Sequence, residues 1–245
     1  MNIVYIQSKS KEFELIVYNN ASYNYPFHNH VNVYSIGMVV SGKIKVDIEK
    51  ERFCFHNGDF FCIPPYVGHA ISTDESYSMY MLCIHKSLFE SEKLSDRLNH
   101  YFSKLIDEKK IVPYYAMMFQ DYIEKVELHS LKSIKSHSLL NDNLRDYLEI
   151  NPERSITVED MAKMLYLSKF HFIRRFKSQF GLAPHQYLIQ NRIRKAQRLI
   201  NETDDLTEIA LATGFCDQSH FIKQFEKKVM LKPSAYKKCC LVVND

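Results

Sequence analysis

Three histidines carry the sharpest chemistry in the sequence. His28 and His30 are alternate residues, so on a strand both side chains fall on one face. His69 follows Pro64-Pro65-Tyr66-Val67-Gly68, a run that reads as a turn. Three imidazoles make a three-nitrogen site with an open position, which suits zinc or another divalent ion. Without a metal, the same groups hydrogen-bond an organic effector or the protein itself. Cys54, His56, Cys83 and His85 add soft ligands, although cysteine is commonly just a small buried hydrophobe. None of the six cysteines shows the paired CxxC spacing of a structural zinc knot.

A second constellation is basic. The net charge of +3 divides unevenly along the chain. Residues 1–136 hold 15 Lys+Arg against 16 Asp+Glu, and residues 137–245 hold 17 against 13. Residues 161–201 contain nine basic side chains and no acid: Lys163, Lys169, Arg174, Arg175, Lys177, Arg192, Arg194, Lys195 and Arg198. Such a segment suits a polyanion, because each Lys or Arg at a phosphate releases condensed counterions.

The elements that must position these groups divide the 245 residues in two. Hydrophobic residues make up 46% and charged residues 25%, which excludes disordered, collagen-like and coiled-coil classes. No apolar run approaches the roughly 18 residues of a membrane span, and no signal peptide is legible at the N-terminus. The expectation is a cytoplasmic chain with reduced thiols. The first 85 residues read as β. Tyr34–Val40, Lys43–Glu49, Arg52–Phe55 and Asp59–Ile63 are short, rich in aromatic and β-branched residues, and broken by Ser41-Gly42, Asn57-Gly58 and Pro64-Pro65. That spacing suggests a barrel or sandwich. From about Leu88 the period becomes helical, with Leu94, Leu98, Tyr101, Phe102 and Leu105 at three- and four-residue steps. His129–His137 is polar and reads as a linker; beyond it the pattern is helical to about Lys238.

The C-terminal half repeats itself. Met161–Pro184 and Ala210–Pro233 share Phe172/Phe221, Phe176/Phe225, Leu182/Leu231 and Pro184/Pro233 at one constant offset. Thr157…Asp160 and Asp205…Glu208 each fit a capping box ahead of a first helix. Each unit is helix, tight turn, helix. On a 100° wheel, Phe172, Phe176 and Phe180 form one apolar stripe, and Phe170, Arg174 and Lys177 lie opposite, flanked by Ile173, with Lys169 at the start of the helix as a further expected DNA contact. In the second unit Phe221, Phe225 and Val229 turn inward. Ser219, Lys223 and Glu226 turn outward, flanked by His220 and Lys227, with Gln218 at the start of the helix as a further expected DNA contact. The phenylalanine stripes are core. The outward stripes are base readers, since Arg and Lys donate to guanine O6 and N7 and Phe or Ile packs on a thymine methyl. Pro184–Asn201 between them reads as a rigid helical spacer holding the two second helices in successive major grooves.

IALATGFCDQSHFIKQF followed by KPSAY, with the first unit MAKMLYLSKFHFIRRFKSQFGLAPHQYLIQNRIRKAQRLI, resembles the AraC/XylS family of transcription regulators over residues 138–238. The family carries Gly where this chain has Met230, equivalent to Gly181, so the second recognition helix is expected to end differently or under strain. The pieces Tyr25-Pro26-Phe27-His28-Asn29-His30, Gly42, Gly58-Asp59 and Pro64-Pro65-Tyr66-Val67-Gly68-His69 resemble the cupin-type effector barrel of the same family. The resemblance implies an α+β chain of two domains. Residues 1–85 form a cupin-like β-barrel with a ligand cavity, 86–136 are trailing helices that dimerise, and 137–245 are an all-α domain with two helix-turn-helix motifs joined by a long helix.

The function implied is a sequence-specific DNA-binding regulator controlled by a small ligand contacting His28, His30 and His69. A metal-responsive regulator using those histidines is the alternative. A cupin enzyme is a further one, but metal-binding cupins place a carboxylate four or five residues after the HxH, and here Tyr34 and Ser35 stand there. Expected partners are double-stranded DNA, a small-molecule effector, a second copy of the chain and RNA polymerase.

Overall fold

The structure is a computed structural model that describes residues 2–48, 51–130 and 142–244. The linker expected at His129–His137 lies for the most part outside the described residues.

Nine strands come first: β1 (Ile3–Ser8), β2 (Phe13–Ala21), β3 (Tyr25–His28), β4 (Val33–Ser41), β5 (Lys43–Ile48), β6 (Glu51–His56), β7 (Phe60–Ile63), β8 (His69–Ser72) and β9 (Tyr77–His85). Helices α1 (Lys86–Phe89), α2 (Leu94–Asp107) and α3 (Pro113–Ser130) follow. The second half runs α4 (Asp142–Ile150), α5 (Val158–Met164), α6 (Lys169–Phe180), α7 (Pro184–Leu199), α8 (Leu206–Ala212), α9 (Gln218–Val229), α10 (Pro233–Cys239) and β10 (Cys240–Val243).

The strands form two sheets, ordered β10-β1-β2-β9-β4-β7 and β3-β8-β5-β6, and among the described residues no ladder closes them into the expected barrel. The physical reason is visible in the core. Tyr5, Ile16, Tyr18 and Met81 on the larger sheet share one buried cluster with Ile189 and Ile193 of α7, Phe225 and Val229 of α9 and Tyr236 of α10. Helices from the second half cover apolar surface of the first, so strands need not meet there. The sheet's other face packs Phe13, Tyr34 and Ile36 against Tyr101 and Phe102 of α2 and Phe119 of α3.

The helical pattern was expected to end near Lys238, but residues 240–243 form a strand paired parallel to β1, with Tyr5 opposite Cys240 and Ser8 opposite Val243. Four residues after a run of helices give no alternating signal of their own; β1 supplies the ladder. Of the two capping boxes, the first forms, with Thr157 and Asp160 exchanging bonds of 3.1 and 3.2 Å. The second is half of one: Asp205 accepts from the Thr207 and Glu208 amides, while the Glu208 carboxylate takes the Thr203 hydroxyl instead. Met230 ends α9 in the left-handed region, φ 62°, as Gly181 ends α6 at φ 69°. The helix therefore ends where the first unit's does, and the departure from glycine is borne as local strain.

Candidate functional site

Two surfaces carry the candidate chemistry. The first is the pair of outward stripes. On α6, capped by Ser168, residues Phe172, Phe176 and Phe180 are buried while Lys169, Phe170, Arg174 and Lys177 are exposed and Ile173 is half-buried. Phe170 is 79% exposed, so no core reason holds an aromatic ring there. On α9, capped by Asp217, residues Phe221, Phe225 and Val229 are buried. Gln218, Ser219, Lys223, Glu226 and Lys227 are exposed, and His220 is half-buried, edge-on to Phe215.

Not every basic residue of the acid-free segment faces outward. Arg192 spends its guanidinium on the carbonyls of Pro152 (2.8 Å) and Gly214 (2.6 Å). Lys195 pairs with Glu153 at 2.9 Å. Arg194 donates to the Val31 carbonyl at 2.6 Å, in the β half. These three hold α7 in place, and six of the nine remain exposed for a polyanion. Lys169 is exposed but paired with Glu159, so on that residue a phosphate competes with a carboxylate.

The second surface is a cavity of about 730 Å³ between the sheets and the helical half. Ile16, Tyr18, Tyr25, Ile71 and Met81 line it from the strands, and Gln190, Ile193, Arg194, Lys228 and Val229 line it from α7 and α9. His28 and His30 also line it, and the three histidines converge with ring centroids 4.3 to 5.1 Å apart. His69 is opposite His28 in the β3–β8 ladder. Nδ1 of His28 donates to the Pro26 carbonyl (2.8 Å) and Nδ1 of His69 to the Val67 carbonyl (3.0 Å). Those bonds place the remaining lone pairs on Nε2. Burial pushes His28 down to about 3, with His69, Lys228 and Arg194 adding repulsion. Burial also lowers His69 to about 4 and His30 well below its usual range. All three imidazoles are therefore neutral at pH 7.

The same region joins the halves by hydrogen bonds. Asn29 donates to the Phe180 carbonyl, and Gln190 donates to the Asn29 side chain at 2.7 Å. Glu149 of α4 accepts from Tyr66 at 3.3 Å, from Asn32 and from Tyr187. Lys228 is half-buried and cationic, and burial lowers its pKa. It has no acid partner among the described residues. Sequence reasoning missed Gln190, Arg194 and Lys228 as cavity residues, having read Arg194 as a free charge of the spacer. The legible signal was polar Gln190, Arg194 and Gln197 repeating at four and three residues beside Ile193 and Ala196, a polar row on a helix that also packs inward. Cys54 and His56 sit on β6 and Cys83 and His85 on β9, in different sheets, so the structure does not bring them together.

Comparison with known proteins agrees with this architecture. A helix-turn-helix domain model matches residues 161–238, and a cupin domain model matches residues 16–85. The probable transcriptional regulator LumQ of Photobacterium leiognathi is 25% identical over 86% of this chain and 91% of its own length. The transcriptional regulator MtrA of Neisseria gonorrhoeae is 35% identical over 36% of this chain and 29% of its own. The crystal structure of ToxT from Vibrio cholerae O395 superposes with a TM-score of 0.62 over 94% of this chain and 98% of its own, at 16% identity. A structure of ToxT with an unsaturated fatty acid bound superposes with a TM-score of 0.60 over 93% of this chain and 95% of its own, also at 16% identity. With a cupin domain ahead of a paired helix-turn-helix domain, and relatives that are transcriptional regulators, the chain belongs to the AraC/XylS family of DNA-binding transcriptional regulators.

Proposed function

We propose that this regulator changes its hold on DNA when a small organic acid with an apolar body enters the cavity between its two halves. The observation that carries this is the cavity's walls. One side is strands of residues 1–85, and the other is α7 and α9 of the DNA-binding half. α7 joins the two helix-turn-helix units, so a ligand that displaces α7 reorients α6 relative to α9. The apolar wall suits a hydrocarbon or aromatic body. Lys228 and Arg194 suit a carboxylate, which would neutralise a half-buried cation that has no acid partner among the described residues. The ToxT structures superposed here include complexes with an unsaturated fatty acid and with a naphthalenyl butenoic acid, both of this class.

In this reading Lys169, Phe170, Ile173, Arg174 and Lys177 of α6, and Gln218, Ser219, His220, Lys223 and Lys227 of α9, contact DNA. The division into residues 1–85, 86–136 and 137–245 corresponds to sensing, dimerisation and DNA binding. Val112, Tyr114 and Met117, exposed at α3, supply apolar surface for a second copy. The chain acts in the cytoplasm, on promoters, beside RNA polymerase, and is no enzyme. No helix among the described residues is long and apolar enough to cross a membrane.

The test is selection of random duplexes with the full chain, followed by titration of the enriched operator with and without oleate. Enrichment of two half-sites about one helical turn apart, with an oleate-dependent shift in Kd that Lys228→Ala abolishes, supports the reading. No enriched sequence overturns the DNA assignment. An enriched sequence whose Kd ignores oleate overturns the effector class alone.

A further inference from the structure

We infer that Tyr166, in the turn of the first helix-turn-helix unit, grips a backbone phosphate of the operator beside the groove that α6 enters, a role with no counterpart in the second unit. The inference rests on the DNA-binding reading of α6 and adds a residue that lies outside its outward stripe.

The internal repeat supplies the comparison. Three residues, 165–167, separate α5 from Ser168, the cap of α6; four, 213–216, separate α8 from Asp217, the cap of α9. In both turns the residue after the first helix's C-cap is left-handed: Tyr166 at φ 55° and Gly214 at φ 82°. Glycine is required in the second unit, where a Cβ would stand 2.5 Å from the Glu153 carbonyl oxygen. In the first unit a tyrosine takes up that backbone, which a bulky side chain adopts only at a cost.

Packing does not account for the tyrosine. Tyr166 is 97% exposed, whereas Phe215, the aromatic residue of the second turn, is 3% exposed. In the first unit the inward place goes to Leu167, which packs against the cluster of Phe172 and Phe176. Tyr166 thus bears backbone strain without gaining burial, and strain kept on those terms marks a functional position.

Location assigns the occupant. Tyr166 stands two residues before Ser168, whose hydroxyl accepts from the His171 amide, and exposed Lys169 and Phe170 follow in the first turn of α6. A helix-turn-helix sets the N-terminal residues of its second helix against base edges while its first helix crosses the backbone. The turn between them therefore runs along the phosphates at the wall of the groove. A tyrosine hydroxyl there donates to a phosphate oxygen. Because the side chain is uncharged it releases no counterion, so it adds affinity without adding salt dependence. The Tyr166 amide donates to the Lys163 carbonyl at 3.0 Å, so the turn is fixed before DNA arrives and little ordering is spent on the contact.

The experiment uses the full chain and the operator enriched from random duplexes. Tyr166→Gly should melt above the parent, since glycine is unstrained there, yet bind about three- to tenfold more weakly. The loss should be equal on the operator and on a scrambled duplex, and the slope of log Kd against log salt should not change. Tyr166→Phe lacks only the hydroxyl and should melt with the parent while showing most of the same loss. Full affinity in Tyr166→Gly overturns the contact and gives the exposed ring to a protein partner instead. Full affinity in Tyr166→Phe overturns the phosphate bond. A Tyr166→Gly variant that melts below the parent overturns the strain argument. Arg174→Ala, measured alongside, separates the failures: if it too binds like the parent, the fault lies with the reading of α6 and not with Tyr166.

Discussion

Gly181 and Met230 close the two recognition helices with the same left-handed backbone, φ 69° and 62°. Only one of the two positions is glycine. A Cβ on Gly181 would stand 3.2 Å from the Gly68 amide nitrogen and 3.4 Å from the Tyr66 carbonyl oxygen, so a neighbour in the β half as well as the backbone asks for glycine there. Met230→Gly should therefore raise stability by about 1 kcal/mol, and Gly181→Ala should lower it by more than that. Urea unfolding of both variants checks the pair; Met230→Gly melting below the parent would sink the strain argument.

Phe176 and Phe225 are 1% and 0% exposed and hold equivalent places in the two units. Phe176 packs within 5.5 Å, ring centre to ring centre, of Phe172, Phe180 and Tyr187. Truncation of either to alanine leaves a cavity and should cost about 3–5 kcal/mol. DNA binding should fail in step with the loss of cooperative melting. A variant that melts like the parent contradicts the face assignment.

Arg174 and Lys223 occupy equivalent outward positions on α6 and α9, and both are exposed. Arg174→Ala should cost about 1–3 kcal/mol on the selected operator and relax the choice at one or two base pairs. Lys223→Ala should cost less, because exposed Glu226 beside it repels phosphate where the first unit has Lys177. Lys227→Ala should weaken all sequences alike and reduce the salt slope by about one. Titrations on the operator and a scrambled duplex rank the three; a larger loss at Lys223 than at Arg174 reverses the assignment.

Glu14 sits on β2, lines the cavity, and accepts from Gln7 at 2.7 Å. Tyr236, Cys83, Cys240 and Arg194 lie close enough to interact with it electrostatically. Burial raises its pKa, opposed by the Gln7 bond and the charge of Arg194. Because the folded value exceeds the unfolded one, the fold favours the protonated acid. Its contribution is present below the unfolded pKa and is lost as pH rises through the folded value. Glu14→Gln should thus match the parent near pH 4 and exceed its Tm near pH 7.5, where the parent buries a carboxylate. Thermal melts at the two pH values decide it; equal Tm at both would mean that Glu14 is solvated.

The recognition helices were legible because each repeats a three- and four-residue phenylalanine period, and the repeat supplied a control for its own face assignment. The histidine cluster was legible through strand alternation and a turn. The cavity was not. Its far wall comes from Gln190, Arg194 and Lys228, more than 100 positions from His69 in the chain. Periodicity places a residue on one face of its own helix and says nothing of the element opposite. The barrel failed for the same reason: local pattern shows strands, while closure depends on what else covers their apolar face. Strand β10 was missed because four residues have too short a pattern to count, and a β1 edge far away decides their conformation.

The pairing of Tyr5 with Cys240 also bears on how the chain folds. It joins residues separated by 235 positions, so it carries the highest loop-closure entropy of any ladder among the described residues. Contacts of such separation form late and slow the approach to the native state. During synthesis β1 waits, one edge unpaired, until residues 240–243 have left the ribosome. For that interval the nascent protein presents an open strand edge, the kind of surface on which chains pair wrongly with one another.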